Sequence, residues 1–187
     1  MRKHILSMLS LFAVIAMLSS CGAQRKDGSY GGNSSNTSLS GPSASQWKNG
    51  VKGTWVLNSV TREDIPQSYT IKNIFDEAPV DCFIGSTWNL PTGNHKGSIT
   101  FNAEGTLCAN GAVRTIIWSI FNPKDMGGQP EFQFKKLYAG DKAANVTTGY
   151  RLGLSYTDGQ TLVMRMPVDL NGTDTGYLVF NFSRAIQ

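Results

Sequence analysis

Few side chains in this 187-residue sequence could carry out catalysis. The chain has two histidines, His4 and His95, and His95 lies in a turn-like segment, residues 92–97. A serine hydrolase needs a histidine base beside its nucleophile, and the Gly-x-Ser-x-Gly motif of one large class is absent. Carboxylates that could form a glycosidase pair fall mostly in predicted turns. We therefore expect a protein that is not an enzyme.

Metal and cofactor sites are not expected either. Zinc usually takes several histidine or cysteine ligands, and the three cysteines are Cys21, Cys82 and Cys108. Residues 169–174 (DLNGTD) space oxygen ligands as calcium sites do, but the glycine is at the wrong position for an EF-hand loop. A hairpin loop is the simpler interpretation. Phosphate-binding glycine loops and the dinucleotide-binding fingerprint are also absent.

The N-terminus has the features of an export signal. Basic residues at 2 and 3 precede a 14-residue apolar stretch, residues 5–18, which is short for a membrane-spanning helix. The following Leu18-Ser19-Ser20-Cys21 resembles the lipobox of bacterial lipoproteins. The resemblance implies cleavage before Cys21, fatty acylation of Cys21 and anchoring in the bilayer. An ordinary signal peptide with a chance cysteine and an uncleaved anchor are the alternatives.

The residue after Cys21 and the charge distribution bear on location. An aspartate directly after the acylated cysteine would resemble an inner-membrane retention signal, but position 22 is glycine. The outer membrane is therefore favoured, and the periplasmic face is preferred. Of the net charge of +4, residues 1–20 carry +2 and residues 21–50 carry +2. Residues 51–187 hold 12 basic and 12 acidic side chains. A neutral domain is not typical of a nucleic-acid partner.

A linker is predicted over residues 21–50. Gly, Ser, Asn and Thr make up 17 of the 29 positions from 22 to 50. Such a segment buries too little apolar surface to offset its ordering entropy, so we expect it to be disordered and to act as a tether. The remaining residues, 51–187, are long enough for one domain with a core.

That domain alternates apolar and polar residues with the period of β-strands. We place eight strands at residues 54–61, 84–90, 97–103, 113–121, 131–138, 149–157, 160–168 and 176–184. Eight antiparallel strands with one apolar face favour an all-β, up-and-down barrel, with a two-sheet sandwich as the alternative. Between the first two strands, near-helical spacing of apolar residues predicts one short helix near 68–76.

Once Cys21 is acylated, Cys82 and Cys108 form an even remainder in an exported chain, which favours one disulfide. The hairpin of the second and third strands would bring the two cysteines together. Two free buried thiols are the alternative.

The first strand opens with Gly53-Thr54-Trp55, which resembles the Gly-x-Trp signature of lipocalins and fatty-acid-binding proteins. The whole chain is similar to bacterial lipocalin-like lipoproteins, which share the lipobox, the Ser/Gly linker and the barrel. In these families an arginine or lysine at the end of the last strand packs over that tryptophan. The resemblance implies that Arg184 packs over Trp55 and closes the barrel.

The large side chains on the inward face give two hypotheses for function. The first is binding of a small apolar ligand in a cavity of at least about 300 Å³, beneath the segment between the first two strands. Its candidate residues are Tyr69, Ile74, Phe75, Trp88, Trp118, Phe132, Tyr156 and Met164. The second is a sealed structural or interaction module, with Phe121 and Val163 on its outer face. The size of the side chains favours a filled or nearly filled interior.

Overall fold

A computed structural model describes residues 42–123 and 128–186 of the protein. One helix, α1 (Ala44–Val51), precedes the strands. The strands are β1 (Gly53–Glu63), β2 (Thr87–Leu90), β3 (Lys96–Thr100), β4 (Val113–Phe121), β5 (Glu131–Leu137), β6 (Tyr150–Thr157), β7 (Thr161–Leu170) and β8 (Asp174–Arg184). A short 3₁₀ helix, Val80–Phe83, lies between β1 and β2.

The eight strands form one closed antiparallel barrel in chain order. Each strand pairs with the next, and β8 returns to pair with β1. The closing register runs from Trp55 opposite Arg184 to Glu63 opposite Tyr177. Closure pairs both edges of the sheet, which removes the exposed edge of an open sheet. The predicted up-and-down barrel is confirmed, and the sandwich alternative is wrong.

Alternate residues of the strands fill the barrel. In β5, for example, Phe132, Phe134 and Lys136 are buried while the residues between them are partly exposed. The largest fully buried side chains include Trp55, Trp88, Trp118, Phe83, Phe132, Phe134, Phe180 and Phe182. Burying one phenylalanine contributes roughly 1.5–3 kcal/mol, so this aromatic core is a main source of stability.

Helix α1 packs against β4 and β6 at one end of the barrel, which we call the helix end. A capping box starts the helix, because Ser43 Oγ accepts from the amide of Gln46 and Ser43 N donates to Gln46 Oε1. Trp47 and Val51 are buried. Residues 43–50 were predicted to be disordered linker, and that prediction is wrong for them. The cap and the two buried side chains offset the entropy cost of ordering this segment.

The opposite end, which we call the mouth, is covered by the β1–β2 connection, residues 64–86. The predicted α-helix near 68–76 is wrong, because the chain makes a tight turn there. Ile74 N donates to Ala78 O at 2.9 Å, and the two residues form an isolated antiparallel bridge. Phe75 and Asp76, inside the turn, have φ angles of 53° and 48°. These left-handed values interrupt a right-handed helix.

A disulfide joins Cys82 to Cys108, as predicted. It fastens the 3₁₀ helix of the β1–β2 connection to the connection between β3 and β4. The β1–β2 connection is therefore held at its first end by β1, and at its second end by the disulfide and β2. The turn at residues 74–78 lies between these attachments, and we call it the plug segment.

Candidate ligand site at the barrel mouth

Four of the predicted ligand-binding residues line the interior together. Trp88, Trp118, Phe132 and Met164 are each at most 1% exposed. The centre of the Phe132 ring lies 5.7 Å from that of Trp118 and 6.4 Å from that of Trp88. The prediction of an interior filled by large side chains is confirmed for these residues.

Phe75 occupies the place beneath the connection where a ligand cavity was expected. Phe75 is 4% exposed, and its ring lies among aromatic side chains of the barrel wall. The ring centres of Phe134, Tyr150 and Phe180 lie 5.1, 5.4 and 5.7 Å from that of Phe75. Since Phe75 comes from a connection and not from a strand, the barrel is closed here by a side chain that is inserted from outside the wall.

The other three predicted residues divide between the mouth and the outer surface. Ile74 is buried beside Phe75, and Tyr69 packs at the edge of the core, where its hydroxyl donates to Asp169 O at 2.9 Å. Tyr156 is 50% exposed, and its hydroxyl donates to Asp158 Oδ2. The prediction that Tyr156 faces the interior is wrong. A β-bulge between Leu154 and Tyr156 shifts the alternation of β6 at this point.

Two basic side chains stand at inward positions of the wall beside the plug segment. Arg114 precedes the buried Ile116 and Trp118 by two and four residues in β4, and Lys136 follows the buried Phe134 in β5. Lys136 is 8% exposed. A charged group at such depth is costly unless it is paired. Its partners therefore decide the chemistry of the mouth.

Glu77 of the plug segment pairs with both cations. Its Oε1 lies 2.5 Å from Arg114 Nη2, and its Oε2 lies 3.2 Å from Arg114 Nε and 2.9 Å from Lys136 Nζ. The contact with Arg114 is thus a two-point carboxylate–guanidinium pair, which is geometrically specific. We call Glu77, Arg114 and Lys136 the latch.

The latch also holds the backbone of the plug segment. Lys136 Nζ donates to the carbonyl oxygens of Phe75 at 2.7 Å and Asp76 at 3.2 Å. The hydroxyl of Tyr150, in β6, donates to Asp76 Oδ2 at 3.1 Å. The turn that carries Phe75 is therefore connected to three neighbouring strands by polar contacts, while its ring makes apolar contacts within the barrel.

The pKa shifts follow from this geometry. Burial raises the pKa of Glu77, but the hydrogen bonds and charges of Arg114 and Lys136 outweigh it, and the net shift is downward. Burial lowers the pKa of Lys136, and its contacts with Glu77 outweigh this and raise it. The hydrogen bond to Glu77 raises the pKa of Arg114. All three groups are therefore charged at neutral pH.

Sequence reasoning missed the latch, although a signal was present. Arg114 has the same strand parity as Trp118, and Lys136 has the same parity as Phe134, so the alternation places both on the inward face. The prediction of the interior considered only the apolar residues of these strands and left out the two basic ones. Glu77 carries no comparable signal, because its position depends on the shape of the turn.

At the helix end, the structure brings together the pair implied by the family resemblance. The guanidinium carbon of Arg184 lies 5.1 Å from the centre of the Trp55 ring, and Arg184 Nη1 donates to Lys52 O at 3.0 Å. Trp55 is fully buried, and its Nε1 donates to Val51 O at 2.7 Å. The two residues connect β1, β8 and α1.

The remaining candidates for chemistry are isolated from one another. His95 lies in the β2–β3 turn with a φ of 59°, and its ring stacks on Trp118. Asp169 accepts a hydrogen bond from Gly172 N within the β7–β8 hairpin. Within residues 42–123 and 128–186, no three His, Cys, Asp or Glu side chains lie close enough together to hold a metal ion.

Cys21, the predicted site of acylation, lies outside the described residues, as do the predicted leader and residues 21–41 of the linker. None of the helices in the described part of the chain is long and apolar enough to cross a bilayer. Comparisons of the chain with protein families, with curated proteins and with solved structures found no match.

Proposed function

We propose that this protein is a lipid-anchored, lipocalin-like binding module of the bacterial envelope that takes up one small apolar ligand without catalysis. The ligand would occupy the space that the plug segment, with Ile74 and Phe75, fills in the closed barrel. The closed eight-stranded barrel and the Trp55–Arg184 contact support the comparison with lipocalins.

The observation that carries the proposal is the origin of Phe75. A barrel that needs only a filled core can fill it from its strands, whereas Phe75 enters from a connection, on a backbone with two successive left-handed residues that are not glycine. Such backbone costs of order 1–3 kcal/mol per residue and is concentrated at ligand clamps and switches. The strained backbone of the plug segment makes this segment our candidate for displacement by an apolar ligand.

Binding of the neutral fluorescent probe N-phenyl-1-naphthylamine tests this proposal. The protein would be the chain from residue 21 onward with Cys21→Ser, so that no detergent is needed. We expect saturable binding, and tighter binding by Phe75→Ala, because the plug no longer competes with the probe. Tyr156→Ala, which removes an aromatic side chain from the outer surface, is the matched control and should bind as the parent does. Absence of binding by both the parent and Phe75→Ala would overturn the proposal.

A sealed interaction module is the second candidate, and the filled interior favours it. Phe121 and Val163, the predicted outer residues, are only partly exposed, and Arg151 covers the Phe121 ring at 5.1 Å. The more exposed apolar side chains near the mouth are Leu107, Val113 and Tyr138. This candidate predicts no probe binding by the parent and a partner that is lost on Leu107→Ser/Val113→Ser.

The membrane anchor requires a separate test. We propose acylation at Cys21 and residence in the outer membrane, on its periplasmic face, with the bilayer as the partner and with no nucleic-acid partner. Growth with an alkyne-labelled palmitate should label the full chain, and Cys21→Ser should abolish the label. Protease resistance in intact cells and sensitivity after permeabilisation would support the periplasmic face, and cleavage in intact cells would contradict it.

A further inference from the structure

The mouth of the barrel holds two cations whose only described carboxylate partner belongs to the plug segment. Arg114 and Lys136 are fixed in strands β4 and β5, and both contact Glu77. The side chains of Lys136 and Glu77 are 9% and 15% exposed, so water screens the group only in part. The pair of cations therefore needs an anion at this position.

Glu77 and Phe75 leave the barrel together if the plug segment moves. They are two residues apart within one turn, which is closed by the Ile74–Ala78 bridge. Withdrawal of the turn vacates an apolar space at Phe75. It also leaves Arg114 and Lys136 without the Glu77 carboxylate. An unpaired buried cation is far more costly than an unpaired neutral group.

We infer that the ligand of the barrel is an apolar carboxylic acid, whose body takes the place of the Phe75 ring and whose carboxylate takes the place of Glu77. This inference rests on the proposed function and adds the charge of the ligand to it. The plug segment is in this view an internal copy of the ligand, with an apolar group and a carboxylate in the same relative positions.

The geometry of the cations sets the expected selectivity. Arg114 presents Nε and Nη2 to two oxygens of one carboxylate, and Lys136 Nζ reaches one of those oxygens. An alcohol has one oxygen and no charge, so it satisfies only part of this set. An amine adds a third positive charge beside the two cations. The expected order of affinity is acid, then alcohol, then amine.

Three ligands with the same alkyl chain test the inference: dodecanoate, dodecanol and dodecylamine. Each would displace N-phenyl-1-naphthylamine from the chain from residue 21 onward with Cys21→Ser, at neutral pH. We expect dodecanoate to bind at least about tenfold more tightly than dodecanol, a difference of about 1.4 kcal/mol. Equal affinities would overturn the inference and leave the proposed function in place. Failure of all three ligands and of the probe, in the parent and in Phe75→Ala, would overturn the proposed function itself.

Two variants assign the selectivity to the latch. The neutral triple variant Glu77→Gln/Arg114→Gln/Lys136→Gln should bind the probe but lose the preference for dodecanoate. Glu77→Gln alone should bind dodecanoate more tightly than the parent does, because the internal carboxylate no longer competes for Arg114 and Lys136, and it keeps the test decisive if the triple variant does not fold. Arg165→Gln, which removes a guanidinium paired with Glu63 on the outside, is the matched control and should leave the preference unchanged. A preference that persists in the folded triple variant, or dodecanoate binding by Glu77→Gln that is no tighter than in the parent, would contradict the inference.

Discussion

The Nζ atom of Lys136, in the wall of the barrel, lies 2.7 Å from the carbonyl oxygen of Phe75, whose ring is buried among the aromatic side chains of the interior. One side chain of the wall thus holds the backbone of the residue that closes the mouth. The same Nζ contacts Glu77, two residues further along the chain. The position of the plug segment therefore depends on polar contacts at the mouth as well as on apolar contacts within the barrel.

Lys136→Met should loosen the plug segment. The substitution keeps an apolar stem but leaves the carbonyl oxygens of Phe75 and Asp76 without their donor, and it removes one cation from Glu77. We expect a loss of about 2 kcal/mol in the free energy of unfolding, measured by urea denaturation. Hydrogen exchange should also be faster in residues 74–78.

The control for this prediction is Lys96→Met. Lys96 is exposed at the start of β3, so its substitution should change the free energy of unfolding by no more than about 0.5 kcal/mol. Equal losses in the two variants would contradict the role assigned to Lys136.

Arg184→Ala should destabilise the helix end of the barrel. The substitution removes the cation from the face of the buried Trp55 and the hydrogen bond to Lys52 O. Together these contacts stabilise the fold by about 2 kcal/mol. Urea denaturation, monitored by tryptophan fluorescence, would measure the loss in the free energy of unfolding.

Arg151→Ala is the control for an exposed cation–π contact, and because Arg151 Nη1 also lies 3.6 Å from Glu131 Oε2, its loss includes that ion pair. Arg151 lies at the same distance, 5.1 Å, from the ring centre of Phe121, but its side chain is 61% exposed. Exposed contacts of this kind contribute about 0.5–1 kcal/mol. A loss in Arg184→Ala no larger than that in Arg151→Ala would contradict the assignment.

The parts of the fold that could be predicted from the sequence are those fixed by alternation within single strands. The alternation placed the large side chains of Trp88, Trp118 and Phe132 on one face, which indicated a common interior. The number of alternating strands, eight, then favoured a barrel. Helix α1 was missed because the composition of residues 21–50 is that of a linker. The capping pair Ser43 and Gln46, followed by Trp47, was a local signal of the helix.

The shape of the plug segment could not be predicted from alternation or spacing. Phe75 and Asp76 adopt left-handed backbone angles that favour glycine, and neither is glycine. The contacts that offset the cost of this conformation come from residues distant in sequence. Lys136 donates to the carbonyl oxygens of both residues, and Phe134 packs on the Phe75 ring. The candidate site therefore depends on tertiary contacts that no local pattern contains.

Removal of the disulfide with Cys82→Ser/Cys108→Ser should lower the free energy of unfolding by about 3.5 kcal/mol, on the loop-entropy account for a separation of 26 residues. The parent under reducing conditions should match the double variant in urea denaturation. The variant should also bind N-phenyl-1-naphthylamine more tightly, because the 3₁₀ helix no longer fixes one side of the plug segment. Unchanged probe binding in a destabilised but folded variant would contradict the link between the disulfide and the plug.

Acidification should weaken the latch. The folded-state pKa of Glu77 lies below its ordinary value of 4.5, since burial, which raises it, is outweighed by the hydrogen bonds and charges of Arg114 and Lys136. A lowered pKa gives a stabilisation that is complete above 4.5 and is lost as the pH falls through the folded-state pKa. Tyr138, Tyr150 and Asp76 also face these groups, and burial raises the pKa of Tyr150, so its hydroxyl stays neutral in this range.

The measurement compares the parent with Glu77→Gln by urea denaturation from pH 7 down to pH 3. At pH 7 the variant should be less stable by roughly 2 kcal/mol, because hydrogen bonds to a charged partner are lost. The difference should shrink below pH 4.5 and approach zero once Glu77 is protonated in the parent. Asp76→Asn reports the separate contribution of Asp76, and Glu63→Gln, at the exposed pair with Arg165, should cost no more than about 1 kcal/mol. A difference between the parent and Glu77→Gln that stays constant across this range would show that the charge of Glu77 does not hold the plug segment.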